Sequence, residues 1–323
     1  MTALSVLDLV MIGEGKDLAT AIGESKQLAQ HVEQHGYTRY WIAEHHDMPG
    51  IGSAATSLII DQIAATTSKI RVGSGGIMLP NHAPLAVAEQ FGTLDVLYPG
   101  RIDLGMGRAP GSGGAAVRAL RRSGIENDFA EDVTEVMDYL ANNGRRPAHG
   151  VPGVHDVPVW ILGSSMFGAQ LAAAMGLPYA FASHFAPRML DQAVDYYRKN
   201  FRPSKWLAAP YVMVGVNIFA ADSNEEADFL ASSHRQWMLN LHMGRLGLLP
   251  RPVEGYVESL PENERRVLEE VLSMTVAGDQ QKVRSWIEGV VQRTGADELM
   301  IDSRIYDPEQ RCRSHELVAR AIG

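Results

Sequence analysis

The sequence holds one cysteine, Cys312, among 323 residues, which excludes an intrachain disulfide framework and a cysteine-built zinc site. Its surroundings, "EQRCRSHE", are charged and predict a thiol near the surface. Long apolar runs are absent as well. No stretch approaches the roughly 20 residues that span a bilayer, and the opening "MTALSVLDLVMIGEGKD" lacks the basic start of a signal peptide. Positive charge is scarce: 29 Lys and Arg against 38 Asp and Glu leave a net charge of −9, and basic residues gather only in short pairs such as Arg121-Arg122. Such a chain has no surplus for gripping a phosphate backbone, so neither nucleic acid nor a membrane is expected as a partner. These absences point to the cytoplasm. No linker rich in Gly, Ser or charge divides the chain, and residues 1–323 are expected to form one domain.

What is present is an alternation of short apolar runs with longer amphipathic segments. Strands are predicted near 5–10, 38–43, 69–79, 101–107, 157–163, 177–183, 211–221 and 297–302. Helices are predicted over 17–34, after Ser53, over 84–97, over 129–142 following a break at Gly124, over 167–175 and 187–200, from Ser223 onward, and from about Arg313. Eight strands joined by helices require parallel crossovers. Three joints, "HGYTRYW", "MGLPYAF" and "TGADELM", repeat a glycine followed by an apolar strand. That regularity predicts the α/β class and a closed (β/α)8 TIM barrel with insertions, whose chemistry sits at the C-terminal ends of the strands.

Five segments fall at such ends. In "AEHHD", His45 and His46 are adjacent and would point to opposite sides while a strand persists, so they are poor joint metal ligands, and no metal is expected. One imidazole beside Glu44 suits proton transfer near neutral pH; the plainer alternative is a polar loop of hydrogen-bonded histidines. The glycines of "VGSGGIMLPNHAP" fit either a barrel bulge or a flat ligand lying against Gly75 and Gly76. Arg108 in "GMGRAPGSGG" is a guanidinium able to grip a phosphate, or an exposed arginine on a loop. In "WILGSSMFGAQ", Gly163, Ser164 and Ser165 lead into a helix, which makes either an anion site or an ordinary N-cap. Arg108 with Ser164 and Ser165 would hold one phosphate while the glycines admit a planar ring, and flavin mononucleotide meets both demands. His184 and Phe185 in "FASHFAP" are substrate-facing or simply rim residues. His155 reads as loop without a partner.

Over nearly the whole chain, "GYTRYWIAEHH", "VGSGGIMLP", "YPGRIDLGMGR" and "PVWILGSSMFGAQLAAAMGLP" resemble the luciferase-like monooxygenase family, typified by the α subunit of bacterial luciferase. The resemblance implies a barrel that holds reduced FMN (FMNH2) at its mouth and reacts it with O₂ and a small-molecule substrate of aldehyde, ketone or organosulfur type. It implies a separate flavin reductase and a homodimer formed through helices near the second and third strands. It assigns His45 as the catalytic histidine managing protons at the flavin, and Glu44 as its neighbour lining the flavin site. A non-prolyl cis peptide at Gly75-Gly76 is implied behind the ring, with Arg108, Ser164, Ser165 and Gly168 at the phosphate and ribityl end. Where luciferase has a reactive cysteine this chain has Gly107, and where it has Glu and Thr this chain has Ser164 and Gly168, which leaves fewer side-chain contacts to the flavin. The same barrel also serves deazaflavin F420-dependent dehydrogenases and flavin-binding proteins without catalysis, and these remain the alternatives.

Overall fold

The computed structural model describes residues 2–109, 114–120 and 128–323. The predicted break at Gly124 and the Arg121-Arg122 pair lie outside them. The strands are β1 (Ala3–Asp8), β2 (Arg39–Ile42), β3 (Arg71–Met78), β4 (Ile102–Gly107), β5 (Val159–Gly163), β6 (Tyr179–Phe181), β7 (Val212–Ala220), β8 (Thr275–Gly278) and β9 (Glu298–Asp302). Strands β1 to β7 pair in chain order, and β9 pairs with both β7 and β1, all in parallel. Eight strands therefore close into a (β/α)8 TIM barrel. The short β8 was not expected from the sequence. It pairs only with Asn217–Ala220, the end of β7 that runs beyond the barrel.

The helices are α1 (Leu18–Gln34), α2 (Thr56–Thr66), α3 (Pro84–Leu97), α4 (Gly114–Ala119), α5 (Phe129–Ala141), α6 (Met166–Met175), α7 (Leu190–Asn200), α8 (Asn224–His242), α9 (Tyr256–Ser259), α10 (Glu262–Val271), α11 (Gln280–Thr294) and α12 (Pro308–Ile322). Their ends follow local chemistry. Asp17 caps α1 by accepting from the Thr20 amide at 2.8 Å, and Asp307 caps α12 with Pro308 at its first position. The last helix thus starts five residues before the predicted Arg313. Cys312 consequently sits on its inner face and is buried, correcting the near-surface expectation. Of the charged neighbours that suggested exposure, Arg311 is itself buried and paired with Asp8 at 3.0 Å, while Glu309, Arg313 and Glu316 lie on the wetter side of the helix.

Alternation along each strand sorts side chains into two cores. Tyr40 and Ile42 of β2, like Val159 and Ile161 of β5, point outward under the helices. Trp41 and Trp160 point inward, edge to face with ring centroids 5.1 Å apart, and share the interior with Leu7, Met213 and Met300. These bulky groups leave little space opposite. A Cβ on Gly75 would come within 2.6 Å of the Leu7 Cδ1, and one on Gly76 within 2.7 Å of the Gly105 carbonyl oxygen. The glycine pair is therefore required by the barrel's own packing, at a register shift between β3 and β4.

The N-terminal end of the barrel is closed by a buried ion network. Arg39 lies 2.7 Å from Asp103 and 3.1 Å from Glu298, and Arg71 lies 2.6 Å from Asp103. With that end sealed, access to the interior comes from the C-terminal ends of the strands.

Candidate functional site

At those C-terminal ends lies a cavity of about 930 Å³, at the upper end of the usual size for small-molecule sites. All five strand-end segments singled out in the sequence reach it. His45 stands on its wall, as do Gly75, Gly76, Arg108, Gly163, Ser164, Ser165, Gly168, His184 and Phe185. Strand β2 stops at Ile42, so strand alternation does not govern the two histidines, and both His45 and His46 reach the wall. The Gly75-Gly76 peptide is cis.

Glu44 is placed differently. It is fully buried behind the wall and does not line the cavity. Its Oε1 sits 2.7 Å from the His46 Nε2 and 2.8 Å from the His82 Nε2, while Oε2 accepts the Met78 amide at 3.0 Å. Burial would raise its pKa, but the bonds from His82, His46 and Met78 outweigh burial and hold it below the usual carboxylate value. An ionised Glu44 is thus a hub that fixes two imidazoles, one of them on the cavity wall. His82 was not singled out in the sequence, although it lies four residues past β3 in a segment already under scrutiny.

The phosphate-type features converge. Strand β5 delivers Ser164 and Ser165 to the start of α6, and Ser165 occupies the N-cap without making a side-chain capping bond. The guanidinium of Arg108, from the end of β4, stacks 4.1 Å over the ring of Phe167 in the first turn of α6. A cation and the positive end of a helix dipole therefore face the same part of the cavity. Gly163 and Gly168 let strand and helix approach closely: a Cβ on Gly168 would sit 3.2 Å from the Tyr179 ring and 3.6 Å from the Gly163 Cα.

The opposite wall was largely missed by sequence reasoning. Helix α8 supplies Trp237, Met238 and Leu241, and Arg304 follows the last barrel strand. Arg304 is paired with buried Asp302 at 2.6 Å and stacks 4.4 Å over Trp237. The only available signal was an arginine two residues beyond a strand end, which is weak. His184 is buried, and desolvation holds its pKa down to about 4, Asp302 opposing and Arg304 and His45 assisting. The interaction places His184 and His45 within electrostatic reach across the cavity. His155 lies in a loop as expected but is not without a partner, since it is buried and its Nδ1 lies 3.2 Å from the Asp95 carboxylate, sixty residues away in sequence.

A barrel with a mostly apolar cavity, a guanidinium beside a helix start and histidines at its mouth is found in known proteins. The chain belongs to the luciferase-like monooxygenase family, which matches residues 3–298. It is 50% identical over 319 residues to the luciferase-like monooxygenase of Escherichia coli (strain K12), covering 98% of this chain and 95% of that protein. The solved structure of apo-MsnO8 is 33% identical with a TM-score of 0.88, covering 100% of this chain and 98% of that one. The fold is shared, at 16% identity and a TM-score of 0.73 over 100% and 98% of the two chains, by the oxygenating constituent of 3,6-diketocamphane monooxygenase from the CAM plasmid of Pseudomonas putida, solved in complex with FMN.

Proposed function

We infer that the chain is an FMN-dependent monooxygenase of the two-component type: one domain, cytoplasmic, receiving reduced FMN from a separate flavin reductase. The observation that carries the reading is the corner where Arg108, stacked on Phe167, meets the uncapped start of α6 at Ser164 and Ser165. A dianionic phosphomonoester fits it, because orphan helix amides and a guanidinium both favour negative charge there. Reduced FMN, when bound, supplies the electrons that activate O₂ for transfer of one oxygen atom to a small organic substrate of aldehyde, ketone or organosulfur type. The protein's share is positioning, protons and dryness. His45 on the wall holds or delivers a proton, Glu44 fixes His46 and His82 behind it, and Leu162, Trp237 and Met238 exclude water. His184 and Phe185 border the space left for substrate. A homodimer through α2 and α3 belongs to the same reading, supported by the exposed apolar side chains of Leu58, Val96 and Leu97.

Anaerobic titration with FMN, reduced FMN and F420, followed by stopped-flow mixing with O₂, tests this. Tight binding of reduced FMN and a transient oxygen-dependent absorbance band are expected. Arg108→Ala should weaken FMN binding about 10- to 100-fold by removing a charge-assisted contact. His45→Ala should lower oxygenation about 10²-fold while leaving FMN affinity unchanged. Binding of F420 alone would replace the cofactor assignment, and unaltered turnover in His45→Ala would remove its role.

A further inference from the structure

Outside the cavity, the first and last helices of the chain pack together and bring three ligand-type side chains to one place. Helix α1 presents His31, and one turn later His35 follows at its C-cap on the same face. Their ring centroids are 4.4 Å apart with a tilt of 33°. Helix α12 contributes Glu316. One nitrogen from each imidazole and one carboxylate oxygen all lie within 4.8 Å of one another. None of the three lines the cavity.

The tautomers are set by their neighbours. His35 Nδ1 is 2.8 Å from the His31 carbonyl oxygen, which only accepts, so Nδ1 donates to it and Nε2 is the nitrogen left to bind a metal. The His31 Nε2 is buried with no hydrogen-bond partner among the described residues, which leaves it open to a ligand role. An imidazole whose outer N–H is anchored on a carbonyl while the other nitrogen stays unprotonated is the arrangement metal-bound histidines adopt.

We propose that His31, His35 and Glu316 form a binding site for one divalent transition-metal ion, Zn²⁺ in particular, which clamps the first helix to the last. Two imidazoles and one carboxylate select a borderline ion over Ca²⁺ or Mg²⁺, and water completes a tetrahedron. Metal–ligand bonds of about 2.0–2.2 Å require the ligand atoms to draw in to roughly 3.3–3.6 Å from one another, a movement within reach of side-chain rotation. Glu316 is shared with Arg313 and Arg320, and each of its oxygens keeps a second lone pair for the ion. The clamp spans helices flanking the β1 and β9 pairing, where the two ends of the chain close the barrel.

Titration of the full chain with Co²⁺, a spectroscopic substitute for Zn²⁺, should give one bound equivalent with visible d–d absorbance. Zn²⁺ at a hundredfold excess over its Kd should raise the thermal midpoint by about 4 °C. The second trio, Glu44, His46 and His82, is the control. The Co²⁺ band should survive in His46→Ala/His82→Ala and vanish in His31→Ala/His35→Ala. Should that double variant fail to fold, His35→Ala alone, at the helix end, should still lose at least about 10-fold in Zn²⁺ affinity. No stoichiometric Co²⁺ uptake, a band that persists without both histidines, or an unchanged affinity in His35→Ala would each overturn the site.

Discussion

Asp302→Ala is expected to cost about 3–5 kcal/mol of unfolding free energy, because it strands a buried guanidinium. Asp302 and Arg304 are 1% and 4% exposed and are joined through the Arg304 Nε and NH2 at 2.6–3.2 Å. The remaining face of Arg304 rests on Trp237, and its NH1 meets only the Met238 Sδ, at 3.7 Å. Nothing else beside it carries the opposite charge at bonding distance among the described residues. Burial opposes ionisation of Asp302, but Arg304, His234 and His184 outweigh it and the carboxyl is held below its usual value. A depressed carboxylate contributes stability above its unfolded pKa of about 3.9, a contribution lost as pH falls through the lower folded value, so at pH 7 all of it is present. Combining Asp302→Ala with Arg304→Met should recover most of the loss, since an apolar pair can occupy the same volume at little cost. Urea unfolding at pH 7 of the wild type, both single variants and the double variant closes the cycle. A loss below about 1 kcal/mol in Asp302→Ala would mean that cavity water solvates Arg304, and the pair would then have no bearing on stability.

The contrast between that pair and the mouth histidines explains which parts of the molecule were legible in the sequence. Local rules carried far. The three helix ends marked by glycine adopt the left-handed backbone at Gly36, Gly176 and Gly295, with φ of +76°, +66° and +62°. Helix α3 starts at Pro84 and ends at Leu97, as the pattern predicts. The mouth residues were found because a parallel barrel puts each strand's last residues on one rim, so position along the chain translated directly into position in space. What failed was whatever depends on a distant partner. The four residues of β8 are too few to show a period, and pairing with an overrun of β7 decides their state. His155 has its Asp95, His82 its Glu44, and Arg304 its Trp237 only after folding. Glu44 shows the limit of motif reading: it sits next to His45, yet its side chain turns away from the wall to serve His46 and His82.

Acid should unfold this protein well above the carboxylate range, through three buried imidazoles. Desolvation holds His184 to about 4, His234 to about 3 and His315 to about 3. After burial, His234 feels Arg304, Asp302, His184 and Arg235, and His315 feels Arg311, His31, Asp8 and Asp302. In each the folded value lies below the unfolded value of about 6.5, so between the two the unfolded chain binds the proton and the folded chain does not. Stability is therefore level above pH 6.5 and falls as the pH is lowered. At pH 5 each group costs about 2 kcal/mol, and the three together about 6 kcal/mol, against a typical total of about 5–15 kcal/mol. The depressed carboxylates Glu44 and Asp302 lose their contribution as the pH falls through and below unfolded values of about 4.3 and 3.9, so at pH 5 they add little to this first loss. His234 separates this origin from general charging. Neither of its ring nitrogens has a partner among the described residues, and it packs 5.2 Å from Phe219, so His234→Leu exchanges one buried, neutral group for another of similar bulk. Unfolding free energies measured in urea at pH 7, 6 and 5 should show the variant losing about a third less than the wild type, a difference of about 2 kcal/mol at pH 5. Parallel slopes would mean that His234 takes up its proton inside the fold, which requires water beside it and opens that interior, next to Arg304 and the cavity, to solvent.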